Sequence, residues 1–208
     1  MALTDAQICS VGLLRIGERQ VIDDLNASSA PARNCKSLYP LALAALLEEF
    51  KWKFATRRAT LAQLAIAGVS VTRDGWGSVY SLPGDCAVVH YIYPGTTNPS
   101  SDARIPFERE LADDAGGLPS IPVLLTNLSP ASLVYTSNKV PTALFPGLFA
   151  DALAWRMAYE LALALAVKPA VGEKMLREYG VAWKKAAASD LRQSQQAPPP
   201  DSSFVRGR

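Results

Sequence analysis

The chain has 208 residues, of which 49% are hydrophobic and 19% charged, and its formal net charge is +2. This composition supplies one good core and excludes a chain disordered throughout. A balance so near neutral excludes a strong overall field for nucleic acid or an acidic membrane. Cys9, Cys35 and Cys86, an odd number with no C-x-x-C spacing, argue against a disulfide framework or zinc knuckle and for reduced thiols in a cytoplasmic setting.

The opening MALTDAQICS has no basic start followed by an apolar run, so no secretory signal is expected. Thr4 with Gln7 three residues on is a capping-box signature, which predicts a helix from Asp5 to about Ile16 with Gly17 as its stop. After a polar loop, Ser28 or Ser29 can cap a second helix with Pro31 in its first turn. Cys35, Leu38, Ala42, Leu46 and Phe50 recur at helical spacing, and Tyr39, Leu43 and Leu47 widen the buried stripe. Pro40 lies inside this helix and predicts a kink, because it removes an amide from the hydrogen-bond ladder.

At Trp52 the period changes from 3.6 to 2. Extended chain puts Phe50, Trp52 and Phe54 on one side and Lys51 and Lys53 on the other, so the rings anchor the join between helix and strand. VYSLPGDCAVVHYIYP reads as a hairpin, with Val88, His90 and Ile92 on one face and Val89, Tyr91 and Tyr93 on the other. Short strands are predicted at Ile121 to Leu125 and at Ser132 to Thr136. The intervening loops include Gly95 to Ser101 and Ala112 to Ser120.

Pro141 and Thr142 lead into a helix reaching about Val167, whose Asp151, Arg156 and Glu160 argue against a membrane span. Pro169 opens the last helix, where Val171, Met175, Tyr179 and Trp183 recur every four residues and ask for a partner. From Gln193 the composition turns to SQQAPPPDSSFVRGR, too poor in apolar groups to order alone. The expected fold is mainly α: residues 1–55 and 140–196 form one helical bundle, 56–139 an inserted small antiparallel β region, and 197–208 a flexible C-terminal tail.

No residue set predicts chemistry. His90, the single histidine, sits mid-strand among apolar neighbours and reads as a packed imidazole. Asp23 with Asp24, Glu48 with Glu49 and Asp113 with Asp114 are sequence neighbours that face different ways on regular structure. DGWGS and AGG match no phosphate-binding loop. Catalytic, cofactor and metal residues are therefore expected to be none. Lys51, Lys53, Arg57 and Arg58 around Trp52 and Phe54 form a basic and aromatic stretch open to a subunit, solvent or DNA. Trp76, in the polar loop RDGWGS, reads as a partner contact with the tail or a neighbouring subunit.

The order of signals resembles the head-to-tail adaptor (connector) family of tailed bacteriophages, the tail tubular protein A type. The resemblance is carried by AQICSVGLLRIGE, APARNCKSLYPLALAALLEEFKWKFATRRATLA, YSLPGDCAVVHYIYP, ASLVYTSNKV, FPGLFADALAWRMAYELALALA and KKAAASDLRQ. It is a hydrophobic skeleton running along nearly the whole chain, with no catalytic signature.

The resemblance implies a structural virion protein, assembled in the host cytoplasm, whose copies form a ring, usually of twelve. Such a ring joins the portal protein to a downstream tail component, while genomic DNA passes through unbound and no membrane is involved. Family members reach the portal through C-terminal segments, which here correspond to Tyr179, Trp183, Leu191, Phe204, Val205, Arg206 and Arg208. Pro198 to Pro200 depart from the family pattern and would hold the tail extended. The alternatives are a nucleic-acid-binding module using residues 51–58, or a cell-wall hydrolase associated with a phage tail.

Overall fold

The computed structural model describes residues 3–66, 69–70, 75–95, 104–112, 121–165 and 167–193. The chain begins with helix α1 (Asp5–Arg15). Thr4 caps it: its hydroxyl accepts from the Gln7 amide at 3.2 Å, and the Gln7 side chain accepts from the Thr4 amide at 2.9 Å. Gly17, with φ of 87°, ends it. The Gly17 and Glu18 amides turn back to the Leu14 and Leu13 carbonyls at 3.1 Å each, a termination that needs the left-handed conformation glycine adopts freely. Helix α2 (Ala30–Glu48) is capped by Ser29 and runs on through Pro40.

A short 3-10 turn, Lys53–Ala55, then leads into nine strands. These are β1 (Thr56–Thr60), β2 (Ala62–Gln63), β3 (Ala65–Ile66), β4 (Val69–Ser70), β5 (Ser78–Ser81), β6 (Cys86–Ile92), β7 (Phe107–Leu111), β8 (Pro122–Thr126) and β9 (Ser132–Ser137). Helices α3 (Gly147–Ala164) and α4 (Pro169–Leu191) complete the described chain. Pro169 stands in the first turn of α4, where its missing amide costs nothing.

The mainly α expectation is overturned. Four α-helices stand beside seven strands in two antiparallel sheets, so the fold is mixed α/β. The strands are ordered β1-β9-β6 in one sheet and β2-β5-β8-β7 in the other, while β3 and β4 pair as a small ribbon. The middle of the chain carries cores of its own, which is why it outgrows a small insertion. Leu61, Tyr80, Ile92, Leu124, Leu133 and Tyr135 pack together from both sheets, and Val79, Val123 and Leu125 pack with Ala112 on the far face of the second. Strand β7 escapes sequence reading because FEREL carries three charges in five residues.

The predicted hairpin is overturned as well. Strand β5 pairs with β8 and β6 with β9, so Pro83 and Gly84 carry the chain from one sheet to the other. The β1 to β2 and β8 to β9 connections also cross between sheets. In β6 the register shifts between Cys86 and Val88 and between Val89 and Tyr91. Each shift inserts an extra residue and breaks strict alternation. Val89 and Ile92, predicted on opposite faces, consequently pack against the same core.

The helices share a separate core. Helices α1, α2 and α4 all pack on α3. Gly12 permits the close approach of α1: a Cβ there would stand 3.2 Å from the Met157 Cβ and 3.3 Å from the Ala154 carbonyl oxygen. Cys9, Cys35 and Cys86 are all free, the first two fully buried in this core.

Candidate interaction surfaces

The 3-10 turn replaces the extended chain expected through Phe54, but the three rings still converge. Trp52, 1% exposed, lies edge-on to Phe50 and Phe149 with centroids 5.0 Å apart in each case, and Phe54 lies 4.6 Å from Phe149. The Trp52 indole N–H donates to the Leu46 carbonyl at 2.7 Å. These edge-to-face contacts add to the gain from burial.

The neighbouring cations have diverged. Lys53 is tied to α4: its backbone amide donates to both Asp190 carboxylate oxygens at 3.1 Å, and its Nζ donates to the Leu191 carbonyl at 3.1 Å. Asp190 is 3% exposed, and burial holds its carboxyl above the ordinary range although the Lys53 amide acts against this. Arg57 donates to Asp85 at 3.0 Å and to the Lys139 carbonyl at 3.2 Å. Asp85 also accepts from the Ser137 hydroxyl at 2.7 Å and the Tyr135 hydroxyl at 3.0 Å. Burial alone would raise the Asp85 carboxyl, but these bonds and the Arg57 charge outweigh it and hold the group low. Two of the four cations are therefore engaged in holding the chain together.

Lys51 and Arg58 remain on the outer face of the three-stranded sheet. Lys51 Nζ stands 4.5 Å above the Tyr91 ring and the Arg58 guanidinium 3.6 Å above Tyr93. A base stacking on either tyrosine would first have to displace a cation, so the stretch is not an open stacking platform. Burial, and then Lys53, lower Lys51.

His90 lies on the same strand, its Nε2 2.8 Å from the Thr136 hydroxyl. Burial first, and then the Lys51 charge, push its imidazole down to about 4 from an ordinary 6.5. A folded pKa below the unfolded one means that the unfolded chain binds the proton first as pH falls. Its stabilisation is therefore present above pH 6.5 and lost on the way down to 4. With the ring half-exposed, the loss is about 1–2 kcal/mol after discounting for solvent screening. Urea midpoints compared at pH 7 and pH 4.5 should show a smaller difference for His90→Gln than for the parent chain. Equal differences would rule out His90 as a source of acid sensitivity.

Trp76 is half-buried against the second sheet, its indole N–H 3.3 Å from a Glu108 carboxylate oxygen. Trp76 is therefore backed by β7, a strand that the sequence did not announce.

On α4, Tyr179 is 8% exposed and faces the chain's own core. Its hydroxyl donates to Glu49 at 2.5 Å, and Arg156 donates to Glu49 at 2.9 Å and to Glu160 at 3.1 Å. Burial, followed by the Glu49 carboxylate, raises the Tyr179 hydroxyl. Trp183 packs on the same core with its ring 6.1 Å from Phe50, and its indole nitrogen is buried without a hydrogen-bond partner among the described residues. The four-residue stripe therefore turns inward. Leu176, Val181 and Leu191 are the large apolar side chains α4 presents outward, at 47%, 48% and 58% exposure. Phe204, Val205, Arg206 and Arg208 lie outside the described residues, as do Asp113 and Asp114.

An open groove of about 410 Å³ runs between the start of α3 and the end of α4, lined by Leu148, Lys184, Lys185, Ala188, Ser189 and Arg192. On the α1 side of α3 a second groove, of about 560 Å³, is lined in part by Asp5, Asp23, Asp24 and Leu25. Among the described residues no group of three or more His, Cys, Asp or Glu is placed to hold a metal ion, and no helix is long and apolar enough to cross a membrane.

No family model matches the chain, and no curated protein matches it.

Proposed function

We propose that this chain is a structural, non-enzymatic subunit of the head-to-tail adaptor of a tailed bacteriophage or prophage. In this reading its copies form a ring, twelve in number as in the family it resembles, between the portal protein and the next tail component. Genomic DNA passes through the ring without specific binding. Helix α4 and the segment after it reach the portal, and the β region contacts the tail side.

The observation that carries the reading is large apolar side chains exposed on the helices. Leu14, Leu41, Leu163 and Leu176 are 54%, 69%, 60% and 47% exposed, one on each of the four helices. In the ring these side chains face neighbouring copies, where contacts between subunits take apolar groups out of water. The ordered match of helix ends, strand segments and C-terminal helix to the adaptor pattern agrees with it.

The full chain mixed with the portal protein of the same genome should give, by electron microscopy, particles with a ring stacked coaxially on the portal. Portals that stay bare at saturating chain concentration would overturn the proposal.

A further inference from the structure

We infer that the groove between α3 and α4 is the docking site for residues 18–26 of a second copy of this chain. The groove has an apolar floor, Leu148 and Ala188, and a cationic rim, Lys184, Lys185 and Arg192. None of these three cations has a carboxylate partner among the described residues, and the nearby Asp190 is buried and bound to the Lys53 amide. Apolar surface ringed by unpaired positive charge fits an acidic segment that projects a small hydrophobic side chain.

The loop after α1 is such a segment. Asp23 and Asp24 are exposed, Glu18 is half-buried, and Arg19 is its one cation, leaving a net charge of −2 over 18–26. Val21 projects at 52% exposure. Its presentation is fixed in advance: Ile22 is 4% exposed, its amide donates to the Ser10 hydroxyl at 3.0 Å, and that hydroxyl donates to the Ile22 carbonyl at 2.7 Å. A loop pinned at its middle loses little further entropy on docking.

The loop does not fill the groove of its own copy: Asp23, Asp24 and Leu25 line the separate groove beside Asp5 and Thr142, and none of the groove's lining residues belongs to 18–26. The loop of one copy therefore meets the groove of the next, and the contact repeats in one sense around a ring or along a filament. Closure into a ring rests on the adaptor reading; the pairwise contact does not.

The test uses the full chain and sedimentation at low ionic strength, without portal. Lys184→Glu with Lys185→Glu should weaken self-association about tenfold, and so should Asp23→Lys with Asp24→Lys. Combining all four changes should restore association to within about threefold of the parent, because the charges again complement one another. Circular dichroism separates these exposed changes from misfolding. A parent chain that stays monomeric at about 1 mM, or a combined variant no better than its parents, overturns the inference. Charge-swap rescue alongside bare portals would instead retain the contact and remove the adaptor role.

Discussion

Trp52→Ala is expected to lower the unfolding free energy by about 3–5 kcal/mol, as large-to-small changes at fully buried aromatic sites do. The indole fills the space among Phe50, Phe54 and Phe149, and its N–H satisfies the Leu46 carbonyl near the end of α2. Alanine would leave a cavity and an unpaired buried carbonyl together. Trp52→Phe keeps a ring and loses the donor, so about 1–2 kcal/mol is expected for it. Equilibrium urea unfolding followed by circular dichroism would read both. Equal small losses would mean that the site collapses around whatever occupies it.

Gly12→Val is expected to cost about 2–3 kcal/mol through overpacking. The first added carbon already meets Met157, Ala154 and Ala158 at 3.2–3.3 Å, and two of these contacts are backbone atoms that cannot rotate away. The further methyl groups of valine would push α1 off α3 and disturb the Arg15 pairing with Asp151 and its stacking over Trp155. Gly12→Ala meets the same tight contact but gains about 1 kcal/mol of helix propensity, so it should stay within about 1 kcal/mol of the parent. Thermal melts of the two variants, read side by side, would check the contrast. A valine variant as stable as the alanine one would show that the helices separate at no cost.

Local structure was legible wherever local physics sets it. The Thr4 box, the Gly17 stop and the Pro169 start stand where residue chemistry placed them, and Ser29 is the one of two candidate serines that caps, because each uses partners within five residues. Features that depend on distant partners were not legible. Asp85 reads as a turn residue, yet Tyr135 and Ser137, 50 and 52 residues on, make it a fastening point of the three-stranded sheet. Asp190 reads as helix surface, yet it receives an amide 137 positions away.

The fold class failed for a related reason. Polar strands such as TRRAT and FEREL have no fully buried residue and are held by pairings that no window of sequence contains. The surfaces were legible in part: the convergence of Phe50, Trp52 and Phe54 at the join was expected, but not that Lys53 and Arg57 are drawn away to Asp190 and Asp85. The cationic groove needed the approach of α3 to α4 before Leu148 met Lys184.

The crossing at Trp52 also sets an order of events during synthesis. Helices α1 and α2 leave the ribosome first, carrying Ile8, Leu13, Leu46 and Trp52, whose cover comes from α3 and α4. Arg15 waits for Asp151, 136 residues later. Pairing Thr60 with Ser132, 72 positions apart, shortens the loop the helices must close. Sheets that pair first thus ease the long closure that completes the helical core. Until residue 190 is made, the N-terminal half exposes apolar surface to chaperones and to neighbouring nascent chains alike.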